Sequence, residues 1–201
     1  MKRCLLPLAL LLLLALTLSS CRIPTEKLPQ SGTTATETSG VTEDITDAVT
    51  DAVTDAPLPD GYTAYHNGAI TFAYPEAWTL TKGSVDLIVN ETGVGNNVSV
   101  SYEAFSDLYS GMDVAAFRTV LQPALESSGM TVADPSVEQC TNPLGTKLTR
   151  IHYQATYNGV SMEQTMLILA AGEYNYVVSV TEVTSDDALL ENVYRTLKTA
   201  A

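Results

Sequence analysis

Residues 147–169 read KLTRIHYQATYNGVSMEQTMLIL, and this stretch decides the fold. Two runs rich in strand-forming residues flank Asn158-Gly159, a dipeptide that favours the two-residue turns of β-hairpins. With that turn, Tyr157 pairs with Val160, and every later cross-strand pair follows from this one. Both faces of the two strands carry apolar residues, so the sheet that contains them needs cover on both sides.

Strand patterns continue on both sides of this hairpin. Asn67-Gly68 is a second dipeptide of the hairpin-turn type, and a tight turn at Ala171-Gly172 leads into the last strand. The predicted strands are 62–66, 69–74, 85–90, 98–103, 130–140, 147–157, 160–169 and 173–181.

Two helices complete the pattern. Asp113 has the chemistry of an N-cap, and apolar residues recur at helical spacing after it until Gly129. Ser185 caps a final helix that carries an apolar stripe. The order of four strands, helix, four strands, helix, with tight hairpins, indicates an α+β fold with an antiparallel sheet. We predict an α/β/α sandwich in which one helix covers each face of that sheet.

A family resemblance lies in residues 62–78, which read YTAYHNGAITFAYPEAW. The part from Gly68 to Trp78 resembles the G…F-x-(Y/F)-P-x-x-W opening of PsbP-like and DcrB-like domains. The resemblance implies an antiparallel sandwich and little about activity. The family includes an accessory subunit of the plant oxygen-evolving complex, a Ran-binding import factor and many bacterial lipoproteins of unknown role. None of the metal-site residues of that accessory subunit carries over to this sequence by motif.

Pro75 and Trp78 of the same stretch are predicted to have structural roles. Proline lacks the N–H that a strand ladder needs, so Pro75 should end the strand 69–74 or lie at an edge. Trp78 is the only tryptophan of the chain. We expect its indole to fill the space between the sheet and a covering helix, with its ring N–H bonded to a backbone carbonyl.

Residues 1–20 predict a lipoprotein signal peptide. A basic start precedes an apolar run over 5–18, which is shorter than the roughly 20 residues that span a bilayer and fits a secretory signal. Residues 18–21 read LSSC and resemble a bacterial lipobox. That resemblance implies lipidation of Cys21. Its acyl chains would anchor the protein at the outer face of the bacterial cytoplasmic membrane or at another envelope membrane.

The next segment, 21–60, is predicted to be a disordered linker. Residues 22–60 contain no aromatic residue, whereas all ten tyrosines, all three phenylalanines and the tryptophan follow residue 60. The segment is rich in Thr, Ser, Ala, Pro and acids, and it repeats Thr-Asp-Ala-Val over 46–56. Aspartates four residues apart repel each other in a helix, and this composition buries too little apolar surface to fold. The predicted domain is therefore 61–201.

Composition excludes some classes of partner. The 201 residues include 23 acids and 10 bases, a formal net charge of −13, so no basic surface is available to bind nucleic acid or an anionic membrane. Cys140 is the one cysteine of the predicted domain, which rules out a disulfide within it. We predict that Cys140 is a small buried hydrophobe, since no histidine or basic cluster lies near it in the sequence to activate the thiol.

Four polar residues share one sheet face on the predicted register: Arg150, His152, Gln154 and Glu163. They could bind an anion or a sugar, or a metal through His152 and Glu163. The other interpretation is a polar margin where the covering helix stops short. Loop tyrosines such as Tyr109 suit contact with protein or carbohydrate and form a second candidate surface.

The sequence carries no recognisable catalytic motif, since G-x-S-x-G, H-E-x-x-H and C-x-x-C are all missing. We predict a non-catalytic lipoprotein without a cofactor, which is held to the membrane through Cys21 and serves as a binding or accessory module for another envelope protein. The alternatives are a ligand or metal sensor built on His152 and Glu163, and an enzyme whose site assembles only in three dimensions. A deep pocket with convergent titratable groups would favour the enzyme, whereas a shallow patch rimmed by tyrosine would favour the binding module.

Overall fold

The computed structural model describes residues 57–90 and 95–200. The signal peptide, Cys21 and the linker up to residue 56 lie outside the described residues, so the predictions made for them are not tested. No helix in the described ranges is long and apolar enough to cross a membrane.

Ten strands and three helices form within these ranges. The strands are β1 (Tyr62–His66), β2 (Ile70–Pro75), β3 (Thr79–Thr81), β4 (Asp86–Val89), β5 (Asn97–Ala104), β6 (Thr131–Thr141), β7 (Lys147–Tyr157), β8 (Val160–Ala171), β9 (Tyr174–Glu182) and β10 (Lys198–Thr199). The helices are α1 (Val114–Val120), α2 (Gln122–Ser127) and α3 (Asp187–Thr196). Strands β3 and β10 were not predicted, because at three and two residues they are too short to show a periodic pattern.

Seven strands form one antiparallel sheet in the order β3-β4-β5-β9-β8-β7-β6. After β5 the chain passes through α1 and α2 to the far edge at β6, and it then returns strand by strand until β9 pairs with β5. The other three strands form a small antiparallel sheet in the order β1-β2-β10.

The hairpin of β7 and β8 confirms the register predicted from the sequence. Tyr157 pairs with Val160, and the pairing continues without a shift to Arg150 and Leu167 and beyond. Asn158 has a φ of 50° and the glycine after it a φ of 79°. Positive φ at both central residues is what a type I′ turn requires, and its twist matches the twist of the strands it joins.

The turn between β1 and β2 is longer than predicted. His66 pairs with Thr71 and β2 begins at Ile70, so three residues, 67–69, connect the strands where the sequence predicted a two-residue turn. The side-chain oxygen of Asn67 accepts hydrogen bonds from the N–H groups of Ala69 and Ile70, at 3.1 and 3.0 Å. These bonds hold the chain in the turn for one further residue.

The turn between β8 and β9 also differs from the prediction. Ala171 pairs with Tyr174, so the central residues are Gly172 and Glu173, and Gly172 takes the positive φ of 60°. The predicted turn at Ala171-Gly172 was therefore wrong by one residue, which shifts every cross-strand partner by two. Because side chains alternate with a period of two, each side chain still lies on the predicted face.

The predicted first helix is two helices, α1 and α2, which meet at Leu121. Pro123 lies in the first turn of α2, and its ring and missing N–H prevent α1 from continuing through it. Helix α3 begins one residue later than predicted. Its N-cap is Asp186 rather than Ser185, and the Asp186 carboxylate accepts the N–H of Leu189 at 3.2 Å.

Apolar residues pack on both faces of the large sheet. The first core lies on one face, under the small sheet and α3, and includes Phe72, Val178 and Val193. The second core lies on the other face, under α1, α2 and residues 105–112, and includes Phe117. The fold is therefore dominated by antiparallel sheet. Helices lie on both faces, but the predicted sandwich with one helix on each face describes the cover only in part: the β1–β2 hairpin turns its own apolar side chains onto the first core and shares that face with α3, and two short helices lie on the other face.

Pro75 ends β2, as predicted. Trp78 packs against the first core but is only half-buried. Its indole N–H makes no hydrogen bond within the described residues, so the predicted bond to a backbone carbonyl does not form. Trp78 follows a turn in which its own backbone N–H donates to the carbonyl of Pro75 at 3.0 Å, and this turn places the ring at the margin of the core.

Candidate functional site

Three of the four predicted site residues line one groove. We call it the acidic groove; its volume is about 410 Å³, and it lies between strands β6 to β9 and helix α3. Its lining residues are Ser136, Glu138, Arg150, His152, Glu163, Glu182, Asp187, Leu190, Glu191 and Tyr194. Gln154 is not among them. It lines a neighbouring groove of about 340 Å³, which it shares with Glu163 and Glu182.

The two basic side chains of the acidic groove are held by its walls. His152 Nδ1 lies 3.0 Å from the hydroxyl oxygen of Thr165, its cross-strand partner on β8. The Arg150 guanidinium carbon lies 5.8 Å from the ring centroid of Tyr194 on α3, within the range of a cation–π contact. The predicted register therefore places these side chains correctly, and α3 adds the aromatic ring.

Carboxylates outnumber the bases in this groove. Burial raises the pKa of Glu182, and repulsion from Asp186, Glu163 and Asp187 raises it further, while the backbone N–H of Asp186 opposes the shift. That N–H donates to the Glu182 carboxylate at 3.0 Å. An excess of negative charge is unfavourable for an anion, so the predicted anion-binding role is the least compatible with this groove.

Sequence reasoning missed four of the five acids because they come from other elements. Glu163 was predicted from the hairpin register, whereas β6, β9 and α3 supply Glu138, Glu182, Asp187 and Glu191. In the part of the chain that the structure describes, no group of three His, Cys, Asp or Glu side chains could hold a metal ion.

A cluster of tyrosines lies at one end of the large sheet. We call Tyr102, Tyr174 and Tyr176 the aromatic patch. The exposed fractions are 57% for Tyr102, 41% for Tyr174 and 8% for Tyr176. The ring centroids of Tyr102 lie 5.3 Å from Tyr174, edge to face, and 5.7 Å from Tyr176. Tyr102 and Tyr176 are cross-strand partners on β5 and β9, so the sheet itself fixes the arrangement.

The aromatic patch lies far from the point where the predicted linker meets the domain. The carbonyl of Gly61 accepts a hydrogen bond from the N–H of Glu76 at 3.0 Å, shortly before β3 begins. The first residue of β3 pairs with Val89 on β4, and Val89 pairs with Asn97 at the start of β5. Tyr102 is five residues further along β5, or roughly 17 Å at the rise of an extended strand. Gly61 and the aromatic patch therefore lie at opposite ends of the domain.

Tyr109, the loop tyrosine predicted to be a contact residue, is buried, with 3% of its surface exposed. Its pKa is raised by burial and by a hydrogen bond to Glu103. The prediction for Tyr109 was wrong because its loop folds back under the sheet. There its backbone carbonyl accepts bonds from Thr149 and Gln139, at 2.8 and 3.0 Å.

Cys140 is half-buried and packs against the first core. Burial raises the pKa of its thiol, and the nearby carboxylate of Glu138 adds to the shift. A raised pKa lowers the fraction of thiolate at neutral pH, so the thiol is not activated as a nucleophile.

Comparisons with known proteins identify no family. No protein-family model matches this sequence, and no curated protein matches it. A solved structure of LpqN, involved in cell envelope biogenesis of Mycobacterium tuberculosis, is 16% identical over 70% of this chain and 91% of that one, with a TM-score of 0.37. A Bacteroides thetaiotaomicron structure is 16% identical over 66% of this chain, with a TM-score of 0.41.

A third structure, protein PA94 of unknown function from Pseudomonas aeruginosa, is 12% identical over 60% of this chain and 82% of that one, with a TM-score of 0.31. The present chain spans 45% of the length of the Bacteroides protein. Similarities at these TM-scores indicate neither common ancestry nor a shared role. The resemblance to PsbP-like and DcrB-like domains therefore stays a prediction from residues 62–78.

Proposed function

We propose that this chain is a lipid-anchored, extracytoplasmic binding module without catalytic activity. It holds a domain outside the membrane and docks another envelope protein on the aromatic patch. The observation that carries the proposal is the exposure of Tyr102 and Tyr174 in edge-to-face contact at the end of the sheet. A shallow patch rimmed by tyrosine favours a binding module over an enzyme.

Tyrosine suits this role for physical reasons. Its ring buries a large apolar area, while its hydroxyl keeps a hydrogen-bonding group at the rim, and few side-chain torsions are lost on binding. Tyrosine is accordingly enriched in protein interfaces. Tyr176 beneath the two exposed rings is buried against the first core, so the patch has a rigid base.

The position of the patch fits attachment through a linker. Gly61 lies near the start of β5, as the pairing of β3, β4 and β5 requires, whereas Tyr102 lies near its other end. A flexible linker over residues 22–60 would average roughly 35 Å end to end. The domain could then turn its aromatic end away from the membrane, toward a partner that projects from the envelope.

Anchoring is tested through the lipobox. Cys21→Ala removes the only residue of the LSSC motif that can receive a lipid, so the variant should lose acyl label and move from the detergent phase to the aqueous phase. A variant that still carries acyl label in the membrane fraction would refute the anchoring part of the proposal.

Docking is tested by capturing partners from the native membrane. The intact acylated protein is cross-linked in its own cells, purified and analysed by mass spectrometry beside the double variant Tyr102→Ala, Tyr174→Ala. We expect at least a tenfold loss of the main cross-linked protein in the double variant. Val160→Ala is the matched control, because Val160 is a 46% exposed apolar residue at the β7–β8 turn, outside the aromatic patch.

Two outcomes would contradict the proposal. Equal capture by wild type and double variant would show that the partner does not use the aromatic patch. A hydrolytic or transfer activity that depends on residues of the acidic groove would show that the protein is an enzyme.

A further inference from the structure

One segment of the large sheet has a strand on only one side. Strand β4 begins at Asp86, which pairs with Val100, whereas β5 continues to Ala104 and pairs with β9 along its whole length. Residues 101–104 therefore have β9 on one side and, among the residues that the structure describes, no strand on the other. We call residues 101–104 the open edge.

The open edge presents a defined set of backbone groups. In an antiparallel sheet the N–H and C=O of one residue point to the same neighbour, and those of the next residue point the opposite way. The N–H of Phe105 donates to the carbonyl of Glu173 at 2.8 Å, so odd-numbered residues at this end of β5 face β9. The N–H and C=O groups of Tyr102 and Ala104 therefore point to the open side.

The outer edge strand β6 is more strongly protected against added strands than the open edge, where Glu103 is the one charged residue. Strand β6 has a bulge between Ala133 and Ser136, a positive φ of 48° at Asp134, and Pro135. Bulges, prolines and charges are the usual means by which proteins block strand addition. Residues 101–104 read SYEA, without proline or lysine, and their pairing with β9 is regular.

The charges around the open edge are mostly negative. Glu103 lies within it, Asp107 lies on the segment that follows β5, and Glu173 lies in the turn that precedes β9. The basic residue of the neighbouring β3–β4 turn, Lys82, is directed to β1, where its ammonium donates to the carbonyl of His66 at 3.3 Å. A segment that carries positive charge is therefore the complementary occupant.

We infer that the open edge accepts an extended, lysine- or arginine-bearing segment of the partner protein as an added β-strand. Strand addition supplies affinity through main-chain hydrogen bonds to Tyr102 and Ala104, and side chains of the added strand reach the aromatic patch, which gives selectivity. The inference rests on the proposed function, since it names how the partner engages the same end of the sheet.

The first test measures amide hydrogen exchange by NMR in the acylated full chain in detergent. The probes are the blocked peptide TKVKVKT and its acidic analogue TEVEVET. In the free protein the amides of Tyr102 and Ala104 should exchange at least tenfold faster than that of Glu103, which faces β9. Adding TKVKVKT should slow exchange at Tyr102 and Ala104 at least tenfold, and TEVEVET should leave both rates unchanged.

The second test uses Ala104→Pro, which removes an outward N–H that no internal bond needs, and Ala104→Ser as the matched control, which keeps it. Ala104→Pro should weaken TKVKVKT binding at least tenfold, and Ala104→Ser less than twofold. The exchange rates of the wild-type protein keep the inference testable even where Ala104→Pro unfolds.

The inference is overturned in three cases: Tyr102 and Ala104 are already protected in the free chain, millimolar TKVKVKT leaves their exchange unchanged, or the two Ala104 variants bind the peptide equally. The native partner separates this failure from that of the proposed function. Partner capture that survives Ala104→Pro but is lost with Tyr102→Ala, Tyr174→Ala leaves the proposed function standing and refutes the added strand. Capture that survives all these variants refutes both.

Discussion

The two faces of the large sheet differ in how they are covered and in what they bury. The first face meets the small sheet and α3, and Thr165 is the one buried polar residue that the described strands of the large sheet place there. The second face meets α1, α2 and residues 105–112, and it also buries a polar row. In that row the directly paired residues Tyr153, Gln164, Thr181 and Asn97 lie side by side across β7, β8, β9 and β5.

Three residues of the polar row carry a buried atom that has no hydrogen-bond partner within the described residues: the hydroxyl of Tyr153, the side-chain oxygen of Gln164 and that of Asn97. A buried polar atom without a partner costs roughly 1–3 kcal/mol. On the first face, the acidic groove and the aromatic patch instead lie exposed at the margins of the cover that the small sheet and α3 form. Incomplete cover thus leaves a groove and aromatic rings exposed on the first face, whereas the fuller cover of the second face leaves three buried polar atoms without a partner among the described residues.

The largest expected effect tests whether the two faces form one folding unit. Phe72→Ala on the first face and Phe117→Ala on the second should each lower the free energy of unfolding by about 3–5 kcal/mol, because both rings are almost completely buried. Urea unfolding is followed by Trp78 fluorescence, which reports on the first face, and by far-UV circular dichroism.

If the two faces form a single unit, Phe117→Ala lowers the urea midpoint measured by Trp78 fluorescence as much as Phe72→Ala does. A Phe117→Ala transition that moves by circular dichroism but not by fluorescence would show that the faces unfold separately.

Trp78→Ala tests how far the margin of the first core contributes to stability, and its expected effect on the free energy of unfolding is smaller. The ring is half-buried at the margin of the first core, so we expect a loss of about 2 kcal/mol, below the range for a fully buried tryptophan. Urea unfolding by circular dichroism measures it, since the variant lacks the fluorescent reporter. A loss above about 4 kcal/mol would restore the role that the sequence predicted, a ring that fills the core.

The smallest expected effect has the opposite sign. Tyr153→Phe removes the unpartnered hydroxyl of the polar row and should raise stability by up to about 1 kcal/mol. Tyr65→Phe is the matched control on the first face. The Tyr65 hydroxyl donates to Asp86 at 2.6 Å, so its removal should lower stability by about 1 kcal/mol. Equal signs for the two variants in urea unfolding would contradict the difference between the faces.

Local patterns predicted most of the strands and one face of the candidate site. The pairing of Tyr157 with Val160 carried Arg150, His152 and Glu163 onto one face, because a two-residue turn leaves no freedom of register. The same reasoning failed at Asn67, where a side chain bonded to the backbone and lengthened the turn. It could not supply the remaining acids of the groove, because they lie on elements remote in the chain.

The sequence by itself determined the strand alternation and the turn positions to within one or two residues. Each of these depends on neighbours in the chain, where spacing and turn chemistry are sufficient. Only the tertiary structure decided that a second sheet shares the cover of one face, that Tyr109 is buried, and that Tyr102 and Tyr174 are exposed at the end opposite Gly61. Those outcomes depend on which distant segments meet, and the pattern of a single strand or loop does not contain that information.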